Sequence, residues 1–252
     1  MADIEIIMEG DSWERLPDFG PKALPIVAGS SRDPARGLAD FGFRVHNLAY
    51  WGDTIADIVS CKDYVAGLRQ TGARALVLGG GGNDLLGGGR LATYLRLYDR
   101  DLAVEDDLKP QFEIDLDKVM LDDEIAGTPV FVHGYDHARP MELGRLGEPM
   151  TPMGIDPPKD ALRAGIVEVT IDRFDNRPKR LEAQWDDLHD VDFRSMVGDR
   201  RHDELHPEKA ACEDLAGDMA KKIRRVLEHR HPAIPREQGG LPWIRKNSPA
   251  SR

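Results

Sequence analysis

Short apolar, β-rich runs alternate with helical patterns along the chain, and that alternation restricts the fold more than any other feature of the sequence. The run Ile4-Glu5-Ile6-Ile7-Met8-Glu9 stops at Gly10 and reads as a first buried strand. Further strands are predicted over Phe43 to Ala49, Ala73 to Leu78 and Pro129 to Tyr135, and a fifth near Val191 and Phe193. Between them, Thr54 can cap a helix carrying Ile55, Ile58, Val59, Val65 and Leu68, with Gly72 as its stop. Residues 90–126 read as irregular helix and 159–173 as a further helix. A last helix is expected from Pro207, with Cys212, Leu215, Ala216, Met219, Ile223, Val226 and Leu227 as its apolar stripe. Residues 13–37, with room for one short helix, and 139–158 read as long loops. Strands separated by helices imply a mainly parallel sheet covered on both faces. Such sheets bind ligands beyond the carboxyl ends of their strands.

The 252 residues suit one domain over 1–230, followed by a polar tail over 231–252 that is expected to be mobile. A formal net charge of -11 argues against nucleic acid and anionic membrane surfaces as partners. The charge is uneven: Arg230, Arg236, Arg245, Lys246 and Arg252 face a single acid, Glu237, so the end of the chain could dock on the acidic body of a second copy in a homo-oligomer. Two cysteines, Cys61 and Cys212, are expected as small buried groups in helices, with no metal-binding spacing between them. Asp186, Asp187, His189, Asp190 and Asp192 match no metal-site spacing and read as a solvated acidic face. No run reaches transmembrane length and no signal pattern precedes Ile4, so the expected location is cytoplasmic.

Three motifs fall just past strand ends or at a helix start. In Gly10-Asp11-Ser12-Trp13, a tight turn after the first strand can aim a serine hydroxyl and its backbone N–H at one point; a helix N-cap is the plainer alternative. In Gly81-Gly82-Asn83-Asp84, Asn83 can offer its amide to a developing oxyanion. The alternatives there are a flexible loop or a phosphate site, the latter lacking the Gly-Lys-Ser/Thr ending of a P-loop. In Asp203-Glu204-Leu205-His206-Pro207, His206 can take a proton from Ser12 while Asp203 fixes its tautomer; the alternative is an acidic cap on the last helix.

Together, Gly10-Asp11-Ser12, Gly52, Gly81-Gly82-Asn83-Asp84 and Asp203-Glu204-Leu205-His206 resemble the four signature blocks of the SGNH (GDSL-type) hydrolases, over residues Ile4 to Leu227. The resemblance implies a flavodoxin-like three-layer α/β/α fold with a five-stranded sheet, and hydrolysis of carboxylic esters with no metal or other cofactor. It makes Ser12 the nucleophile, with Asp203 and His206 completing a triad. The oxyanion donors would be the Ser12 N–H, the Gly52 N–H and the Asn83 side chain, and Asn47 would be structural. The chain departs from the pattern in the bulky Tyr50-Trp51 pair before Gly52 and in its longer glycine run. Trp13, Trp51, His133 and Tyr135 are candidate substrate contacts, although core packing is an equal or better reading for Trp13, Trp51 and His133. A small-molecule ester with a short acyl or acetyl group, including one on a sugar, is the expected substrate. A lipase, phospholipase or thioesterase of the same fold, a nucleotide-binding protein and a catalytically silent binding protein are the competing readings.

Overall fold

A computed structural model describes residues 4–14, 34–95, 110–142, 144–155 and 160–230. Its centre is a five-stranded, all-parallel sheet in the order β2-β1-β3-β4-β5. The strands are β1 (Ile4–Gly10), β2 (Phe43–Asn47), β3 (Leu76–Gly79), β4 (Val130–His133) and β5 (Leu188–Val191). The central ones are mostly apolar because both faces are covered: Ile6, Ile7, Met8, Leu76, Val77, Leu78 and Phe131 have no exposure.

Among the described residues, seven α-helices join and follow the strands: α1 (Pro34–Asp40), α2 (Ile55–Cys61), α3 (Asp63–Thr71), α4 (Gly82–Leu85), α5 (Pro110–Met120), α6 (Asp160–Glu182) and α7 (Lys209–His229). Right-handed crossovers put α1 on one face of the sheet and α2, α3, α5 and α6 on the other. The packing agrees, since α1 lies against α7 while α2 contacts α5 and α5 contacts α6. This is the flavodoxin-like arrangement expected from the sequence. The strand order reverses between β1 and β3, whose ends are in register at Gly10 and Gly79, so the two chains leaving these ends flank a crevice.

Several boundaries differ from the sequence expectation for identifiable reasons. The predicted helix after Thr54 is capped as expected, with Thr54 and Asp57 forming a reciprocal capping box, but it breaks at Lys62, which is left-handed at φ 55°. That break leaves Cys61 exposed at the end of α2 rather than buried, whereas Cys212 is buried in α7. Helix α6 continues past residue 173 because Phe174, Pro178 and Leu181 carry its buried stripe onward. Pro207 pairs with Arg201 in an isolated bridge, and α7 starts only at Lys209. The fifth strand ends at Val191, with Phe193 buried just beyond it. The expected solvated acidic face is partly internal: Asp187 pairs with Arg230, and Asp190 is buried, which pushes its carboxyl up to about 6. The tail over 231–252 lies outside the described residues, as does most of the predicted loop over 13–37. Among the described residues, no helix is long and apolar enough to cross a membrane.

Glu9 sits on the central strand β1 with 4% exposure. Burial, with the nearby Asp63, Asp53 and Glu14 charges, outweighs the Gly10 N–H and pushes its carboxyl up to about 7. The folded chain therefore holds this proton more tightly than the unfolded chain. The linked stability is full below the unfolded value of about 4.5 and is lost as pH rises through 7. Glu9→Gln should flatten that loss. Urea titrations at about pH 5 and pH 8 should show the variant giving up less stability than the parent, by up to roughly 3 kcal/mol.

Candidate active site

The chain leaving β1 turns sharply instead of entering a helix. Within that turn Trp13 N–H donates to Asp11 Oδ1 at 3.0 Å, and Glu14 N–H donates to the Asp11 carbonyl at 3.3 Å. The turn stands on Glu14, whose side chain has no exposure; its Oε2 accepts the Asp11 N–H at 2.8 Å. Its Oε1 lies 2.6 Å from His133 Nε2, also fully buried, without the alignment of a hydrogen bond, so the contact is one of charge. Burial opposes a charged imidazole, but Glu14, the Gly134 carbonyl at 2.9 Å and Asp11 together raise His133 above the usual histidine range. The carboxylate fits because residues 10 and 79 are glycines: a Cβ on either would collide with it.

Asp11 is also buried, and burial, reinforced by Glu14, raises its carboxyl. Burial and the Asp11 and Glu14 charges keep the Tyr135 phenol protonated, and it donates to Asp11 Oδ2 at 2.7 Å. The Tyr135 hydroxyl oxygen in turn accepts the Gly82 N–H at 2.9 Å, tying the end of β4 to the start of α4. The ends of β1, β3 and β4 are thus joined beneath Ser12.

The histidine arrives on the loop between β5 and α7. Buried Asp136 accepts the N–H groups of Ser195, Val197 and Gly198 and pairs with buried Arg201 at 2.9 Å, fastening that loop to the end of β4. Farther along, Asp203 Oδ1 accepts the Leu205 and His206 N–H groups at 2.7 Å each. Asp203 Oδ2 lies 2.8 Å from His206 Nδ1, and His206 Nε2 lies 3.0 Å from Ser12 Oγ. Partial desolvation would raise the Asp203 carboxyl, but His206 and the two N–H groups hold it well below the usual carboxylate range. It is therefore an anion at neutral pH, suited to accept from Nδ1–H and leave Nε2 free to accept from the hydroxyl.

Asn83, on α4, lines the same pocket as Ser12 and His206. One of its amide hydrogens goes to the Asp53 carbonyl at 3.0 Å, which leaves the other for a ligand. Gly52 lies in the intervening turn at φ 94°, and a Cβ there would meet open space. Tyr50 N–H donates to the Gly10 carbonyl and Asp53 N–H to the Tyr50 carbonyl, so this turn bridges the Ser12 and Asn83 segments. Asp84 accepts the Ile55 N–H and anchors α2, while Asn47 donates to the Glu14 carbonyl, a structural role as expected.

Two candidate substrate contacts are corrected. His133 is sealed beneath the site by its pairing with Glu14 and is not a pocket residue. Trp51 is 50% exposed and stacked on Tyr50, because the bridging turn carries both rings toward solvent; it does not line the pocket. Trp13 and Tyr135 do line it, edge to face at 5.1 Å. Leu86, Ile171 and Leu205 supply further apolar wall, and Arg145 a cation. Glu14, Asp136, Arg201 and Arg145 escaped the sequence reading; the available signal for the first three was their position within four residues of a strand end or of one of the three motifs, and Arg145 carried no such signal. Among the described residues, His137, Glu168 and Asp172 form one cluster of metal-ligand types. There Asp172 already accepts from His137 at 2.8 Å and pairs with Arg194 at 3.4 Å.

No protein-family model and no curated protein matches the sequence. Solved structures do match the fold. The chain is similar to the native aryl esterase of M. smegmatis, with a TM-score of 0.51 and 15% identity over 88% of this chain and 98% of that one. A psychrotrophic esterase from Pseudoalteromonas sp., crystallised inhibited by monoethylphosphonate, gives 0.50 and 14% over 90% and 100%. An extracellular lipase from Streptomyces rimosus gives 0.51 and 14% over 87% and 98%. The chain therefore has the fold of these esterases and this lipase, matched over 87–90% of its length.

Removing one member of a buried ion pair strands the other in a dry site. Glu14→Ala should lower stability by about 3–5 kcal/mol in chemical denaturation. Glu14→Gln, which keeps an acceptor for the Asp11 N–H and can donate to His133, should recover at least half of that loss.

Proposed function

We propose that the protein is a serine ester hydrolase of the SGNH type that works through an acyl-enzyme. The observation that carries this reading is the unbroken chain of contacts from Ser12 Oγ through His206 to Asp203, at 3.0 and 2.8 Å, beside a free Asn83 amide hydrogen. In the proposed mechanism His206 Nε2 takes the proton of Ser12 as its oxygen attacks the ester carbonyl. Anionic Asp203 stabilises the resulting imidazolium. The negative oxygen of the tetrahedral intermediate is held by the Ser12 N–H, the Gly52 N–H and Asn83. His206 then protonates the leaving alcohol; later it takes a proton from the water that attacks the acyl-enzyme and returns it to Ser12 Oγ as the acyl bond breaks and the acid leaves.

Short acyl esters are favoured as substrates because large side chains, Trp13, Tyr135, Leu86, Ile171 and Leu205, line the pocket around Ser12. The esterases of similar fold support the reaction class, and one of them, an acetylxylan esterase from Geobacillus stearothermophilus, supports small acyl groups.

A fluorophosphonate probe followed by peptide mass spectrometry should find a stoichiometric adduct on Ser12. Ser12→Ala should abolish it, and His206→Ala should cut p-nitrophenyl acetate turnover by about 10⁴-fold. Asn83→Ala should cost about 10²–10³-fold in kcat with a smaller change in KM. Absence of an adduct and of turnover from acetyl to octanoyl esters would overturn the reading in favour of a silent binding protein.

A further inference from the structure

Arg145 stands out in the pocket because the other charges there are matched. Asp11 is occupied by Tyr135 and the Trp13 N–H, and Asp136 by Arg201 and three backbone N–H groups. Both carboxylates are 2% exposed. Arg145 instead is exposed, lines the pocket beside Ser12 and His206, and meets no carboxylate partner among the described residues.

Its position is also built rather than incidental. The segment bearing it is clamped to the His206 turn by Glu204, a buried carboxylate. Glu204 Oε2 accepts the Met141 N–H at 2.9 Å, and Oε1 accepts the Leu146 N–H at 2.7 Å. The Arg145 N–H reaches the same carboxylate, and Arg139 N–H donates to the Glu204 carbonyl at 3.1 Å. A Cβ at residue 144 would collide with Glu204, so glycine there lets the segment close onto it. Leu146, immediately after Arg145, is fully buried. One carboxylate, two residues before His206, thus fixes where the Arg145 backbone stands relative to the reacting serine.

An unmatched guanidinium that lines the pocket beside the reacting serine is a fork for a planar anion. We propose that Arg145 recognises an anionic group, carboxylate or phosphate, carried by the ester that this pocket takes. The proposal rests on the serine-hydrolase reading and narrows its substrate class. The anion lies at the far end of either the acyl or the alcohol half, and two substrate pairs separate the cases. Mono-p-nitrophenyl succinate against p-nitrophenyl butyrate places the charge on the acyl side. The acetyl ester of p-hydroxybenzoate against that of its methyl ester places it on the alcohol side.

For one of the two pairs, the parent protein should prefer the anionic member in kcat/KM. Arg145→Gln should lower that anionic-to-neutral ratio about ten- to hundredfold, chiefly through KM. Arg145→Lys should restore part of it. The ratio cancels any loss common to both members, including a general loss of folded protein. Calorimetric binding of succinate and p-hydroxybenzoate to the parent and to Arg145→Gln supplies a readout that needs no turnover. Weaker binding of either anion by the variant supports the proposal even if no ester is cleaved, in which case the hydrolase reading alone fails. A ratio unchanged by Arg145→Gln in both pairs overturns it, and so does equal anion binding by the two proteins.

Discussion

The Glu14 carboxylate, sealed from water under the Ser12 turn, is the contact on which the geometry of the site depends. One of its oxygens takes the N–H of Asp11 and the other faces the imidazole of His133, so a single side chain sets the exit of β1 against the end of β4. An anion in that place would be costly alone. It is sustained by a histidine whose proton it helps to retain. Tyr135 extends the link to the start of α4, on which Asn83 stands. The serine and the amide expected to stabilise the oxyanion thus take their spacing from the same buried polar network, while the sheet around it is apolar.

Carboxylates also organise the loops that bring the remaining groups. Neither segment that carries His206 or Arg145 is a regular helix or strand, and such chain has backbone N–H groups that need partners. Asp136 collects those of Ser195, Val197 and Gly198, and Glu204 collects those of Met141, Arg145 and Leu146. Each acid receives several donors, so these irregular segments have those backbone N–H groups satisfied. Pre-set groups of this kind need little rearrangement when charge develops in a reaction.

The strands and the three motifs were legible because their signals are local. An apolar run bounded by glycine marks β1, and a serine, an asparagine and a histidine sit just beyond element ends where a parallel sheet places its ligands. What could not be read depends on contacts between distant segments. Glu14 follows Ser12 by two residues, yet its meaning comes from His133, more than a hundred residues later. His133 itself looked like a cleft residue because it ends a strand, and only its pairing shows that it faces inward. Trp51 adjoins a motif glycine, but the hydrogen bonds of its turn carry it outward. The break at Lys62 was hidden because the apolar spacing on either side continues across it.

Among the glycines of this structure, residues 79 and 144 are vacancies cut to the outline of an acid. Residue 79 has no side chain because Glu14 and His133 fill that volume, and residue 144 has none because Glu204 does. Glycine and acid are therefore two halves of one steric unit. In a protein descended from the same ancestor, loss of the acid would free the glycine to become a larger residue, whereas a larger residue arriving first would expel the acid. The order of such exchanges is constrained, and positions 14 with 79, and 204 with 144, should drift as pairs although each pair lies far apart along the chain.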